Sequence, residues 1–152
     1  MPVVHSTLAT ELAEDPLALG YAPLIASGND MGLVALLDSP TGPGAALVQE
    51  ATLSKADFQL ATMPAILALA GASLELRSKW DRILSVLQSV DTVRLAHPGV
   101  VALLGLAQSD GLLSPAQVAA IGVRMGSRTE VLFGAGSRVT ATDISIALRG
   151  AH

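Results

Sequence analysis

Between Ser73 and Val90, six large apolar residues (Leu76, Trp80, Ile83, Leu84, Leu87 and Val90) recur at offsets of 0, 4, 7, 8, 11 and 14. That spacing holds all six on one face of a helix, while Glu75, Lys79, Asp81 and Arg82 fall off it. A helix of this kind gains most of its stability from packing its stripe. The remainder of the chain must therefore supply elements that cover it. Trp80, the only tryptophan, sits in the middle of the stripe and is expected to be the core anchor.

Those covering elements read as further short helices, separated by proline and glycine. Thr7 to Glu14 is amphipathic and stops at Asp15-Pro16, because proline disfavours helix in the residue before it. Leu17 to Ser27 holds Gly20 and Pro23 and reads as a turn with one helical turn at most. Asp30 is a candidate cap for a helix from Met31 to Leu37. Thr41-Gly42-Pro43-Gly44 is a loop, and 45–53 is the one stretch that reads as extended. Ser54-Lys55-Ala56-Asp57 has the form of a capping box, and the helix it opens is interrupted at Met63-Pro64 and ends at Gly71. His97-Pro98 opens a helix that runs to Gln108, with His97 as a capping residue. Ser114-Pro115 opens one that runs to about Val123, since proline fits the first helical position. Ser127-Arg128-Thr129-Glu130 is a capping box for a short helix ended by Gly134, and Thr140 to Asp143 starts a last helix that reaches Arg149. The expected fold is all-α, a compact bundle of six to eight short helices with one short extended segment near 45–53. A single domain over 1–152 is expected, with a small N-terminal lobe at 1–40 and the main helical bundle at 54–150.

Composition narrows the partners. Charged residues are 14% of the 152, the hydrophobic fraction is 51% and the net charge is −4. The nine cations leave no basic surface for phosphate contacts, so no nucleic-acid partner is expected. The N-terminus lacks the basic and apolar regions of a secretory signal. The longest uncharged stretch, Phe58 to Leu74, falls short of the roughly 20 apolar residues that a membrane span needs. With zero cysteines there is no disulfide, thiolate nucleophile or Cys-based zinc site.

The polar residues form no catalytic or metal-ligand pattern. His5, His97 and His152 share neither helical nor ligand spacing, so no metal site is expected. No Gly-x-Ser-x-Gly elbow occurs. Gly134-Ala135-Gly136-Ser137-Arg138 lacks the third glycine, the lysine and the preceding strand of a phosphate loop. Ser109-Asp110-Gly111 lacks the alternating oxygen ligands of a calcium loop. No cofactor and no enzymatic activity are expected. A chain this poor in charge, once its core is full, is expected to expose apolar surface that other subunits cover.

Three strings in the N-terminal part carry a family resemblance: Asp15-Pro-Leu-Ala-Leu-Gly-Tyr-Ala-Pro-Leu24, then Ser27-Gly-Asn-Asp30 and Val34-Ala-Leu-Leu-Asp38. In the C-terminal part the matching strings are Ser127-Arg-Thr-Glu-Val-Leu-Phe-Gly134, Val139-Thr140 and Asp143-Ile-Ser-Ile-Ala-Leu-Arg149, with Lys79-Trp80-Asp81 between the two parts. Together they resemble small virion proteins encoded in the structural-gene blocks of tailed bacteriophages. Thr129 departs from the pattern, where alanine is expected. The resemblance implies a virion component, made in the host bacterial cytoplasm and placed in the tail or head-to-tail region; with the charge-poor composition, the expectation is a homo-oligomer held to other virion proteins there or at fibre-attachment points. A capsid decoration protein of the phage head and a small intracellular helical binding or regulatory protein are the alternatives. Tyr21, Arg128, Arg138 and Arg149 are the candidate interface residues, since arginine and tyrosine are favoured at interfaces.

Overall fold

The computed structural model describes residues 2–150, the side chains of Val86 and Leu87 excepted. The chain divides into two compact units, one made of residues 1–49 and 124–152 and the other of residues 50–123.

The first unit begins with α1 (His5–Glu14), α2 (Tyr21–Ala26) and α3 (Asp30–Asp38), followed by the strand β1 (Ala46–Gln49). Asp15 turns the chain after α1. It takes a left-handed conformation, with φ 41°, and its carboxylate accepts from the backbone N–H of Leu19 (2.6 Å), Gly20 (2.8 Å) and Tyr21 (3.3 Å). Those N–H groups hold its pKa below the usual carboxylate range, against the desolvation that would raise it. Asn29, one residue before the expected cap, accepts from Gly32 N–H and starts α3.

The second unit holds β2 (Thr52–Ser54), α4 (Lys55–Ala61), α5 (Met63–Ala70), α6 (Leu74–Leu87), β3 (Thr92–Arg94), α7 (Pro98–Ser109) and α8 (Pro115–Ala120). The chain then returns through β4 (Val123–Gly126), which pairs with β1, and completes the first unit with α9 (Arg128–Phe133) and α10 (Ala141–Arg149).

Each unit has its own core. In the first, Leu8, Leu12, Tyr21, Leu33, Leu37, Phe133, Val139 and Ile144 are buried together, drawing on α1, α2, α3, α9 and α10. In the second, Trp80 is 3% exposed among Phe58, Ala65, Val93, Ala107, Leu113 and Ile121. Its indole Nε1–H donates to Asp110 Oδ2 at 2.8 Å, and Lys79 Nζ reaches the same oxygen at 2.7 Å. Leu76 and Ile83 of the stripe pack on this core, and the side chain of Leu87 lies outside the described residues.

The all-α expectation is corrected. The molecule is 57% helical and 10% strand, a mixed α/β chain with ten helices and two small antiparallel sheets among the described residues. The 45–53 stretch contributes β1 and most of β2, while β3 and β4 lie inside or just behind runs that the apolar spacing assigned to helices. Strands of three or four residues are too short for a two-residue alternation to outweigh a neighbouring helical period. Val90 continues the stripe in sequence, but α6 ends at Leu87. The helix expected to reach Val123 stops at Ala120, because Ile121 is extended and Gly122 takes φ +75°, a conformation glycine tolerates.

Candidate functional site

The polar residues singled out in the sequence are mostly used inside the first unit. Four consecutive residues around the start of α9, Ser127 to Glu130, are all engaged by side-chain hydrogen bonds. Ser127 Oγ accepts from Glu130 N–H, and Glu130 accepts from Ser127 N–H, which closes the capping box. Arg128 donates through Nε to Glu11 Oε1 (2.8 Å) and through Nη2 to Glu11 Oε2 (2.7 Å), a bidentate pair between side chains 13% and 4% exposed. Thr129 Oγ1 donates to Asp38 Oδ1 at 2.5 Å. Beyond its capping role, Glu130 accepts from Arg124 Nη2 (2.5 Å) and from Gly136 N–H (2.7 Å). Arg124 first, then these backbone donors, bring its pKa down to about 2.

Tyr21 is fully buried, and its hydroxyl donates to Glu11 Oε1 at 2.9 Å. Burial, followed by the Glu11 contact, pushes its pKa well above the usual tyrosine value. Tyr21 and Arg128 therefore meet on one buried carboxylate and are not presented to solvent as an interface rim. Arg149 is paired with Asp30. Arg138 is exposed and, among the described residues, forms no ion pair.

His5 Nε2 lies 2.9 Å from Asp143 Oδ1, and the other oxygen of Asp143 accepts from Thr140 Oγ1 and N–H. This cluster closes the capping box of α10 and ties it to α1. His97 Nδ1 accepts from Gly99 N–H and caps α7, while His152 lies outside the described residues. Among the described residues, no group of three His, Cys, Asp or Glu side chains is arranged to hold a metal ion. None of the described helices is long and apolar enough to cross a membrane.

The second unit holds a cleft of about 480 Å³. Ile83 of α6 and Val90 supply one wall, Thr92, Val93 and Arg94 of β3 another, and His97, Val100 and Leu103 at the start of α7 a third. Its size is in the range of ligand sites, and its lining is largely apolar with few polar groups, as such sites require. Arg94 and His97 are exposed, and among the described residues the Arg94 side chain has neither an ion pair nor a hydrogen bond. On the surface of the same unit, Leu60 (73% exposed) and Leu67 (68%) lie uncovered, with Met63 and Ile66 also exposed. The arrangement offers apolar contact and the unpaired Arg94 cation.

Sequence reasoning assigned His97 a capping role and passed over Arg94 and the cleft. Thr92-Val93-Arg94 carries a polar–apolar–polar alternation, the available signal for a strand, but three residues long. No family model matches the chain, and neither a curated protein nor a solved structure matches it.

Proposed function

We propose that this chain is a non-enzymatic structural subunit of a tailed bacteriophage particle, positioned in the tail, head-to-tail or fibre-attachment region and acting by protein–protein packing. The carrying observation is the contrast between uncovered aliphatic side chains and satisfied polar ones. Leu60, Met63, Ile66 and Leu67 are exposed in the second unit, which also holds the apolar cleft, whereas Glu11, Tyr21, Arg128, Thr129 and Glu130 are engaged within the chain. Large uncovered apolar patches on a folded protein mark surfaces that another molecule covers. The resemblance of the 15–38 and 127–149 strings to phage structural-block proteins supplies the setting, with other virion proteins and further copies of this chain as partners. The cleft also favours a second reading, a small binding protein that never enters a particle.

Mass spectrometry of gradient-purified particles from the phage that encodes the chain separates the two. The subunit reading expects the chain in the particles in fixed proportion to the tail proteins. Leu60→Asp with Leu67→Asp should leave the circular dichroism unchanged and remove the chain from particles, and Arg138→Glu should reduce its incorporation. Particles free of the wild-type chain would refute the reading.

A further inference from the structure

The register of the second unit's sheet fixes which backbone groups of β3 are available. Thr52 lies opposite Arg94, Leu53 opposite Val93 and Ser54 opposite Thr92 in an antiparallel pair. Lys55 N–H donates to Asp91 O (2.9 Å), and Leu95 N–H donates to Ala51 O (3.1 Å). In an antiparallel ladder the hydrogen-bonding pairs alternate, so residues 91, 93 and 95 turn their backbone groups toward β2. Thr92 and Arg94 turn theirs to the opposite edge. There the Arg94 carbonyl accepts from His97 N–H at 3.1 Å. Among the described residues, the N–H and C=O of Thr92 and the N–H of Arg94 carry no hydrogen bond. Both residues also line the cleft, where Arg94 brings its unpaired guanidinium.

An open strand edge is a template for another strand. Here it adjoins an apolar recess that suits side chains projecting from one face of an added strand, and a cation that suits a carboxylate. We propose that the cleft is a strand acceptor: a short extended segment of a partner protein, apolar on one face and carrying one carboxylate, adds to the outer edge of β3. Its backbone pairs with Thr92 and Arg94, its apolar side chains enter the recess against Ile83, Val100 and Leu103, and its carboxylate meets the Arg94 guanidinium. Main-chain bonds then supply affinity, and the recess and Arg94 supply selectivity. The inference deepens the packing reading by naming the kind of segment that occupies this site.

The test is titration of the full ¹⁵N-labelled chain with an acetylated, amidated heptapeptide of alternating valine and threonine carrying one glutamate. The lysine counterpart of that peptide and decanoate are titrated in parallel. The glutamate peptide should shift the Thr92 and Arg94 amide signals and slow their hydrogen exchange. Arg94→Glu should weaken that peptide about tenfold and reverse the preference toward the lysine peptide. Thr92→Pro removes an edge donor without touching the β2 ladder, a change that edge strands tolerate, and should abolish the shifts. The absence of shifts at millimolar peptide, or binding unaffected by Arg94→Glu, overturns the proposal. So does decanoate binding at the cleft without peptide binding, which would make it a site for small amphiphiles. Finding the chain in particles while no peptide binds would sink the strand acceptor alone, whereas peptide binding by a chain missing from particles would sink only the virion reading.

Discussion

Replacing Arg128 by methionine tests whether this arginine serves the inside of the chain or a partner. Glu11 and Arg128 are 117 positions apart, and the bidentate pair between them is nearly excluded from solvent. Methionine preserves most of the aliphatic bulk and removes the charge, which leaves the Glu11 carboxylate buried with the Tyr21 hydroxyl as its donor. Removing one member of a buried pair costs about 3–5 kcal/mol, and the 13% exposure of Arg128 argues for the lower end, about 3 kcal/mol. Adding Glu11→Gln to Arg128→Met removes the orphaned charge while keeping an acceptor for the Tyr21 hydroxyl. The pair should return to within about 1 kcal/mol of the wild-type chain. Urea unfolding followed by far-ultraviolet circular dichroism at pH 7 measures all three proteins. An Arg128→Met chain within about 0.5 kcal/mol of wild type, or a double variant less stable than the single one, would refute the reasoning.

Two further expectations follow from the first unit. The depressed pKa of Glu130, about 2 against an ordinary 4.5, means that the unfolded chain binds its proton more readily. Its stabilisation is therefore fully present above about pH 4.5 and is lost as the pH falls toward 2, worth about 2 kcal/mol once the exposure of Arg124 is allowed for. Urea midpoints from pH 6 to pH 2.5 should show that loss, with a shallower fall in Glu130→Gln. Gly126 in β4 is held by a close approach, since a β-carbon there would lie 2.6 and 2.7 Å from the two methyls of Val48. Gly126→Ala should cost about 1–3 kcal/mol by overpacking against a stiff β-branched side chain, read as a lower thermal midpoint; an unchanged midpoint would show that β1 yields freely.

What the sequence discloses is mainly what is local. Ser54, Ser114, Ser127 and Thr140 each cap the helix their spacing announces, because a cap is decided by the residue and the N–H groups two or three positions ahead of it. Asn29 displaces Asp30 as the cap of α3 by a single position, since two adjacent residues offered the same chemistry. Tyr21 and Arg128 were legible as chemically special but not as each other's neighbours. Their meeting point on Glu11 depends on a pairing 117 positions long, which no periodicity encodes. The cleft was hidden for the same reason, as its walls come from α6, β3 and the start of α7, and the strand that contributes its open edge is three residues long.

The interruption of the first unit by residues 50–123 has a consequence in time. Leu8, Leu12, Leu33 and Leu37 leave the ribosome early, but Phe133, Val139 and Ile144, which bury them, are made only after the intervening unit. At synthesis rates of about 5–20 residues per second, those 74 residues (123 − 50 + 1) hold the N-terminal helices waiting for roughly 4–15 s. Glu11 and Asp38 spend that interval without Arg128 and Thr129. For several seconds of every synthesis, the nascent chain carries half of a core in search of its other half. A companion that shields those leucines co-translationally would raise the yield of folded protein without altering the stability of the finished molecule.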